Sequence, residues 1–110
     1  MNDISKYTGE GVGLEGNPNQ GPFIEFTIQV NEGVIHDAVF RTYKCGVAVR
    51  ICKILCELIK DKNIRDSMCI STNMLIKKSG RVPLGKRFCL NMAISALQKA
   101  ISSIVCQIKV

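Results

Sequence analysis

The chain is 110 residues long, is 46% apolar and has a formal net charge of +6. This length is typical of one domain with a single modest core. Because only 5% of the residues are aromatic and tryptophan is absent, Ile, Val and Leu must fill that core. The moderate positive charge suits an acidic partner, but it does not by itself define a nucleic-acid-binding protein.

Six cysteines are a high count for this length, and an even number of them can indicate a disulfide framework. Residues 1–16, however, contain no apolar run that resembles a signal peptide, and we expect no stretch that approaches the length of a membrane span. Several cysteines also fall inside helix-like apolar patterns. We therefore expect a cytoplasmic protein whose cysteines are thiols or metal ligands.

The first part of the chain predicts an irregular segment followed by a β-hairpin. Residues 1–16 belong to a stretch rich in Gly, Asn and Pro, and are expected to be flexible or to form an edge strand. Residues 23–30 and 34–43 each alternate apolar and polar side chains, which is the period of a half-buried strand. A tight turn at residues 31–33 joins them, so an antiparallel hairpin is expected.

The rest of the chain predicts helices. Apolar residues recur at helical spacing over residues 46–60 and 89–105, and two shorter helices are expected at 64–68 and 71–78. Strands come first and helices follow. We therefore predict a single α+β domain over residues 1–110, in which helices pack on one face of a small antiparallel sheet of about three strands.

Two cysteines, Cys45 and Cys89, stand where helix-like runs begin. Free backbone N–H groups and the helix dipole favour a thiolate there, and the thiolate is the form that binds metals and attacks electrophiles. If both helices begin at one end of the domain, the two thiolates would supply half of a tetrahedral metal site or half the ligands of a small iron–sulfur cluster. Alternatively, both are small apolar residues at helix ends.

The other cysteines and the single histidine show no grouping that would support catalysis. Cys52 and Cys56 are one helical turn apart and could chelate a soft metal, but such residues more often belong to the core. Cys69 has no partner nearby in the sequence, and Cys106 falls in the last helical turn. We expect His36 on a sheet face. Without a Ser/His/Asp or Cys/His grouping, we expect that the protein is not an enzyme.

A basic stretch without acidic residues precedes the last helix. Its five cations are Lys77, Lys78, Arg81, Lys86 and Arg87. One interpretation is a solvated loop. Another is a docking surface for a partner, whose positive charge would also lower the pKa of a nearby thiol. Contact with nucleic acid is the least supported interpretation, because aromatic residues are few and a recognition motif is lacking.

Four short motifs follow one another along the chain: Gly-Val-Ile-His-Asp-Ala-Val-Phe at 33–40, Tyr-Lys-Cys-Gly-Val-Ala at 43–48, Glu-Leu-Ile-Lys-Asp-Lys-Asn-Ile at 57–64 and Cys-Leu-Asn-Met-Ala-Ile-Ser-Ala-Leu at 89–97. Taken in this order, they resemble the motifs of the iron–sulfur cluster scaffold family of IscU, SufU and the N-terminal domain of NifU. The resemblance covers roughly residues 11–103. It implies the family's small α+β fold.

The resemblance also implies a function. Members of this family assemble a small iron–sulfur cluster, usually 2Fe–2S, on cysteines plus an Asp or His, and some bind zinc at the same site. A cysteine desulfurase delivers the sulfur, and acceptor proteins receive the cluster. By position, Cys45 and Cys89 would be two of the cysteine ligands. Gln20 and Pro22 stand where the family has its first Cys and its Asp, and neither is a good ligand for soft iron or zinc.

Two hypotheses follow from these ligand positions. In the first, the chain still binds iron, a cluster or zinc through Cys45 and Cys89, and a symmetric homodimer completes the four ligands. In the second, the chain binds no cofactor and acts as a protein-binding or regulatory partner of the assembly machinery. Neither hypothesis involves a membrane or nucleic acid.

Overall fold

The computed structural model describes residues 6–108, with side chains to Val105. Its elements are β1 (Gly9–Gly16), β2 (Phe23–Asn31), β3 (Val34–Thr42), α1 (Gly46–Ile59), α2 (Ile64–Met68), α3 (Thr72–Ser79), a 3-10 helix (Leu84–Lys86) and α4 (Phe88–Ile108). The strands form one antiparallel sheet in the order β1-β2-β3. The predicted α+β class, with a hairpin followed by helices, is confirmed.

The hairpin of β2 and β3 follows from the alternation seen in the sequence. Along β2, Ile24, Phe26 and Ile28 are fully buried on the core face, whereas the residues between them are partly exposed. The turn needs left-handed backbone at Glu32 and Gly33, with φ of 50° and 79°. The second half of the N-terminal stretch forms β1, the edge strand that was one of the two expectations, while residues 1–5 lie outside the described part of the chain.

Strand β1 lies directly on helix α4 because both surfaces are small. Gly11 and Gly13 are the buried positions of β1, and they face the backbone of α4 at Ala96 and Ala100. A methyl group on Gly13 would stand 2.0 Å from the carbonyl oxygen of Ala96, far inside van der Waals contact. The glycines are therefore needed for close helix–strand packing, not for a turn.

Helices α1 and α4 cover the same face of the sheet with their apolar stripes. The buried residues of α1 are Ala48, Ile51, Cys52, Leu55 and Ile59. By length and composition, the segment Leu84–Val105 could cross a membrane, so the expectation that no stretch approaches a span was wrong. The apolar stripe of α4 packs on β1 and β2, as a core helix does in a soluble protein.

Helix α2 depends on a side chain that caps its N-terminus. The Asn63 side chain accepts a hydrogen bond from the backbone N–H of Asp66 at 2.7 Å. Replacing Asn63 by Ala should lower the free energy of unfolding by about 1 kcal/mol, because this N–H then loses its partner. Urea denaturation measures the change. Asn91→Ala, on the exposed side of α4, is the control and should stay within about 0.5 kcal/mol; equal losses would contradict the capping role.

Candidate thiol site

The candidate site lies at the end of the sheet where β2 begins and β3 ends. The backbone N–H of Tyr43 donates to the carbonyl of Phe23 at 3.3 Å, which ties the chain after β3 to the start of β2. The N-terminal part of α4 reaches the same end, because a methyl group on Gly16 would lie 3.1 Å from Met92. The loop 17–22, the segment before α1 and the start of α4 therefore meet here.

Cys45 is the N-cap residue of α1, in extended conformation with φ −155° and ψ 117°. Its pKa is lowered to about 7, first by the backbone N–H of Ala48 and then by the Tyr43 hydroxyl, the N–H of Val47 and the charge of Lys86, while burial opposes them. The Cys45 sulfur accepts no short capping hydrogen bond, so the two backbone N–H groups lower its pKa from a longer distance. The prediction that this helix start favours a thiolate therefore has a structural basis.

Cys89 is fully buried and is the second residue of α4. The prediction that Cys89 opens this helix was wrong by one residue. The reason is that the 3-10 helix at Leu84–Lys86 leads into α4, which begins at Phe88. The Cys89 sulfur lies 3.4 Å from the hydroxyl oxygen of Tyr43.

Tyr43 connects the two thiols. Burial raises the pKa of its phenol well above the ordinary value, and hydrogen bonds to Cys89 and Cys45 raise it further. The phenol therefore keeps its proton and can donate it in a hydrogen bond to the Cys45 thiolate. Sequence reasoning assigned no role to Tyr43, although its place two residues before Cys45, at the end of a strand, was a usable signal.

The basic stretch reaches this site through one described contact. The Lys86 ammonium lies 6.0 Å from the centre of the Tyr43 ring, and its charge helps to lower the pKa of Cys45. The Arg81 carbonyl accepts a hydrogen bond from Arg50 on α1 at 3.1 Å, which fixes the loop against that helix. The exposed members of the stretch are Lys77, Lys78, Arg81 and Arg87. Their role in docking stays a prediction.

The predicted lost-ligand positions lie at the same end of the sheet but add no thiolate or carboxylate. Gln20 and Pro22 are exposed in the loop between β1 and β2. Within the described residues, no group of three or more His, Cys, Asp and Glu side chains is placed to hold a metal. The structure thus brings Cys45 and Cys89 to a shared neighbour, Tyr43.

The remaining cysteines are distributed over the fold as free thiols, as far as their side chains are described. Cys52 is fully buried, and burial raises its pKa to about 12, as expected for a core residue. Cys56 is half-buried, and burial followed by the charges of Asp37 and Glu57 raises its pKa to about 11. Cys69 is the exposed C-cap of α2.

Two further sequence expectations can be placed. His36 is exposed on β3, in agreement with the expected position on a sheet face. The backbone of Cys106 lies in the last part of α4, whereas its side chain is outside the described residues.

Comparison with known proteins supports the resemblance seen in the motifs. The family described as "NifU-like N terminal domain" matches residues 2–109. The chain is 33% identical over 92 residues to an iron–sulfur cluster assembly scaffold protein IscU of Archaeoglobus fulgidus, covering 84% of this chain and 60% of that protein. It is 36% identical over 93 residues to the IscU of Aquifex aeolicus, covering 83% and 59%.

The chain therefore spans about 60% of the length of these two relatives. A crystal structure titled as a scaffold protein for the SUF system of Fervidobacterium islandicum has the same fold, with a TM-score of 0.68 and 16% identity over 89% of this chain and 88% of that one. The family match covers nearly the whole sequence, and the strand and helix order agrees with it. The resemblance is confirmed, and this chain belongs to the NifU-like N-terminal domain family.

Proposed function

We propose that the chain acts in iron–sulfur cluster assembly as a scaffold-like protein that holds iron or a 2Fe–2S cluster, its cargo, through Cys45 and Cys89. The observation that carries the proposal is the Tyr43 hydroxyl between the two thiols, together with the low pKa of Cys45. A thiol that ionises near neutral pH is a competent ligand for iron or zinc. Cys89, which contacts the same Tyr43 hydroxyl, is fully buried and therefore shielded from water.

The donor set determines how such a cargo could be held. Two thiolates per chain fit half of the four ligands that a 2Fe–2S cluster or a zinc ion requires. The side-chain amide of Gln20 and the ring of Pro22 do not complete the set. We propose that two chains supply two thiolates each, or that a small thiol supplies the missing ones.

The proposed partners follow from the family. A cysteine desulfurase would supply sulfur and acceptor proteins would receive the cluster, in the cytoplasm and without enzymatic activity of the chain itself. The exposed cations at Lys77, Lys78, Arg81 and Arg87 offer an acidic partner a surface beside the site. Lys86 would join that surface to the thiols, because it contacts Tyr43.

Anaerobic reconstitution tests the cluster. Purified chain treated with ferric iron and sulfide should gain visible cluster absorbance and retain about one iron per chain, if two chains share one 2Fe–2S cluster. Cys45→Ser and Cys89→Ser should each lose both signals, because each removes one of only two thiolate ligands. Cys69→Ser, which changes an exposed thiol on α2, is the matched control and should retain them.

The same preparations separate the metals. If zinc is the cargo, the purified wild type should contain zinc, lost in Cys45→Ser and Cys89→Ser but retained in Cys69→Ser. A colourless product with neither iron nor zinc from the wild type would contradict both forms of the proposal.

A second function is favoured by the exposed, non-ligating Gln20 and Pro22. In it, the chain binds no cluster and acts as a partner or regulator of the assembly machinery. Pull-down with a cysteine desulfurase tests this function. Retention of the desulfurase by a metal-free chain, and by Cys45→Ser, would favour it over the first function; absence of retention would count against it.

A further inference from the structure

Strand β3 ends the sheet on one side and is only partly covered. Its first residues are paired outside the sheet, because the N–H of Ile35 donates to the carbonyl of Lys62 at 2.9 Å and the carbonyl of Ile35 accepts from the N–H of Asp61 at 2.8 Å. Beyond Ile35, among the described residues, β3 is the outer strand and β2 is its strand neighbour. An uncovered edge of this kind is a template for another strand.

The direction of the backbone groups defines which residues such a strand would meet. The N–H of Tyr43 points toward β2, where it donates to Phe23. Between Tyr43 and the β-bulge that separates Asp37 from Ile35, the direction alternates along the strand, so the N–H and C=O groups of Ala38, Phe40 and Thr42 point outward. The N–H of Ala38 agrees with this, because it donates to the Asp37 carboxylate at 2.9 Å and not to β2.

The side chains along this edge are self-complementary about Val39. Val39 is 56% exposed, and the exposed Asp37 and Arg41 flank it on the same face of the sheet, two residues away on each side. We propose that the β3 edge pairs antiparallel with β3 of a second copy of this chain, with Val39 on the two-fold axis. Asp37 of each copy then lies opposite Arg41 of the other, and opposite charges across strands stabilise that register.

The surface beside the edge fits the same two-fold axis. An open groove of about 400 Å³ runs between β3 and α1 and is lined by Ala38, Val39, Phe40, Lys53, Cys56 and Glu57. Lys53 and Glu57, one helical turn apart on α1, line this groove together with Val39. The two α1 helices would therefore run antiparallel across the axis, which places Lys53 of one copy near Glu57 of the other. One axis thus satisfies the outward backbone groups and two kinds of charge pair.

The association exchanges contacts that the single chain already makes. Asp37 loses its hydrogen bond from the backbone N–H of Ala38, which then pairs with the second copy. Arg41, whose Nε lies 2.8 Å from the Glu25 carboxylate in the single chain, would be shared between Glu25 and Asp37 of the second copy. We therefore expect a reversible dimer that depends on protein concentration. Cys45 follows Val39 by six residues, about 20 Å of strand. The two thiol sites then lie at opposite ends of the dimer, so this contact is separate from any sharing of a cluster.

Sedimentation velocity over a range of protein concentrations tests the charge register. The wild type should shift from monomer to dimer as concentration rises. Asp37→Arg should weaken the association at least tenfold, because it sets like charges against each other, and Asp37→Arg with Arg41→Asp should restore it. Circular dichroism checks that each variant folds. A wild type that stays monomeric throughout, or a dimer that Asp37→Arg does not weaken, would overturn the proposal.

Cross-linking tests the register by geometry. Across the proposed contact, Val39 of one copy lies opposite Val39 of the other in a non-hydrogen-bonded pair. The Cα atoms of such a pair are about 4.5 Å apart, which is within the range of a disulfide. Mild oxidation of Val39→Cys should therefore give a dimer linked through residue 39, identified by mass spectrometry of the joined peptides. Val12→Cys, exposed on the same face but on the opposite edge strand, is the control and should not cross-link. Failure of Val39→Cys to cross-link at concentrations where the protein is dimeric would exclude this register.

Discussion

Gly13→Ala is expected to lower the free energy of unfolding by about 3 kcal/mol or more. The added methyl group would stand 2.0 Å from the carbonyl oxygen of Ala96 and 2.3 Å from the backbone nitrogen of Ala100. Both contacts are with helix backbone, which cannot move aside as a flexible side chain does. Strand β1 must therefore separate from α4, and the core loses packing along the whole interface.

Urea denaturation measures this loss, with Gly85→Ala as the control. A methyl group on Gly85 would meet nothing within 4 Å, and this residue lies in the 3-10 helix before α4. Its free energy of unfolding should therefore stay within about 0.5 kcal/mol of the wild type. Similar losses in the two variants would show that helix–strand contact is not what requires glycine at Gly13.

The rate of alkylation of Cys45 is expected to titrate with a midpoint near pH 7. An ordinary thiol has a pKa of about 8.5, so the acid dissociation constant of Cys45 is raised roughly thirtyfold. The midpoint is the quantity to measure, because a thiolate of lower pKa is also a weaker nucleophile and the absolute rate gains less. Iodoacetamide labelling across pH, read at Cys45 by peptide mass spectrometry, gives this midpoint.

Tyr43→Phe should raise the midpoint of Cys45, because it removes the hydroxyl that stabilises the thiolate. The midpoint should stay below the ordinary value, since the N–H of Ala48 is the larger cause and is retained. Tyr7→Phe, which changes a tyrosine packed elsewhere against the core, is the control and should leave the midpoint unchanged. An unchanged midpoint in Tyr43→Phe would contradict the hydrogen bond to Cys45.

The same lowered pKa links folding to pH. The folded state favours the Cys45 thiolate over the unfolded state, so this stabilisation is complete above about pH 8.5, the ordinary thiol pKa. It is lost as pH falls through the folded-state pKa of about 7. Cys45→Ser should remove this part of the pH dependence.

Local patterns predicted the elements well. The period-two alternation of β2 and the helical spacing of α1 each arise from a single buried face, and burial of that face is what the pattern reports. The edge strand β1 was harder to predict, because its buried positions are Gly11 and Gly13, which contribute no apolar side chain. Their meaning depends on the backbone of α4, more than 80 residues away in the sequence.

The candidate site was predicted only in part for a related reason. Cys45 and Cys89 could be singled out because helix starts are visible in the sequence. That Tyr43 lies beside both sulfurs depends on where β3 ends relative to α4, which no local pattern specifies. The same limit applies to the groove beside Cys56, because strand and helix form it together.

The sequence by itself thus determined the family, the order of the elements and the two cysteines near the starts of α1 and α4. That Gln20 and Pro22 stand where the family has a Cys and an Asp stays a prediction from the sequence. Only the tertiary structure decided that the Tyr43 hydroxyl lies beside the thiols, that the Lys86 ammonium lies over the Tyr43 ring and that β3 presents an open edge. The physical reason is that periodicity records which side chains are buried, whereas packing between distant elements decides which of them meet.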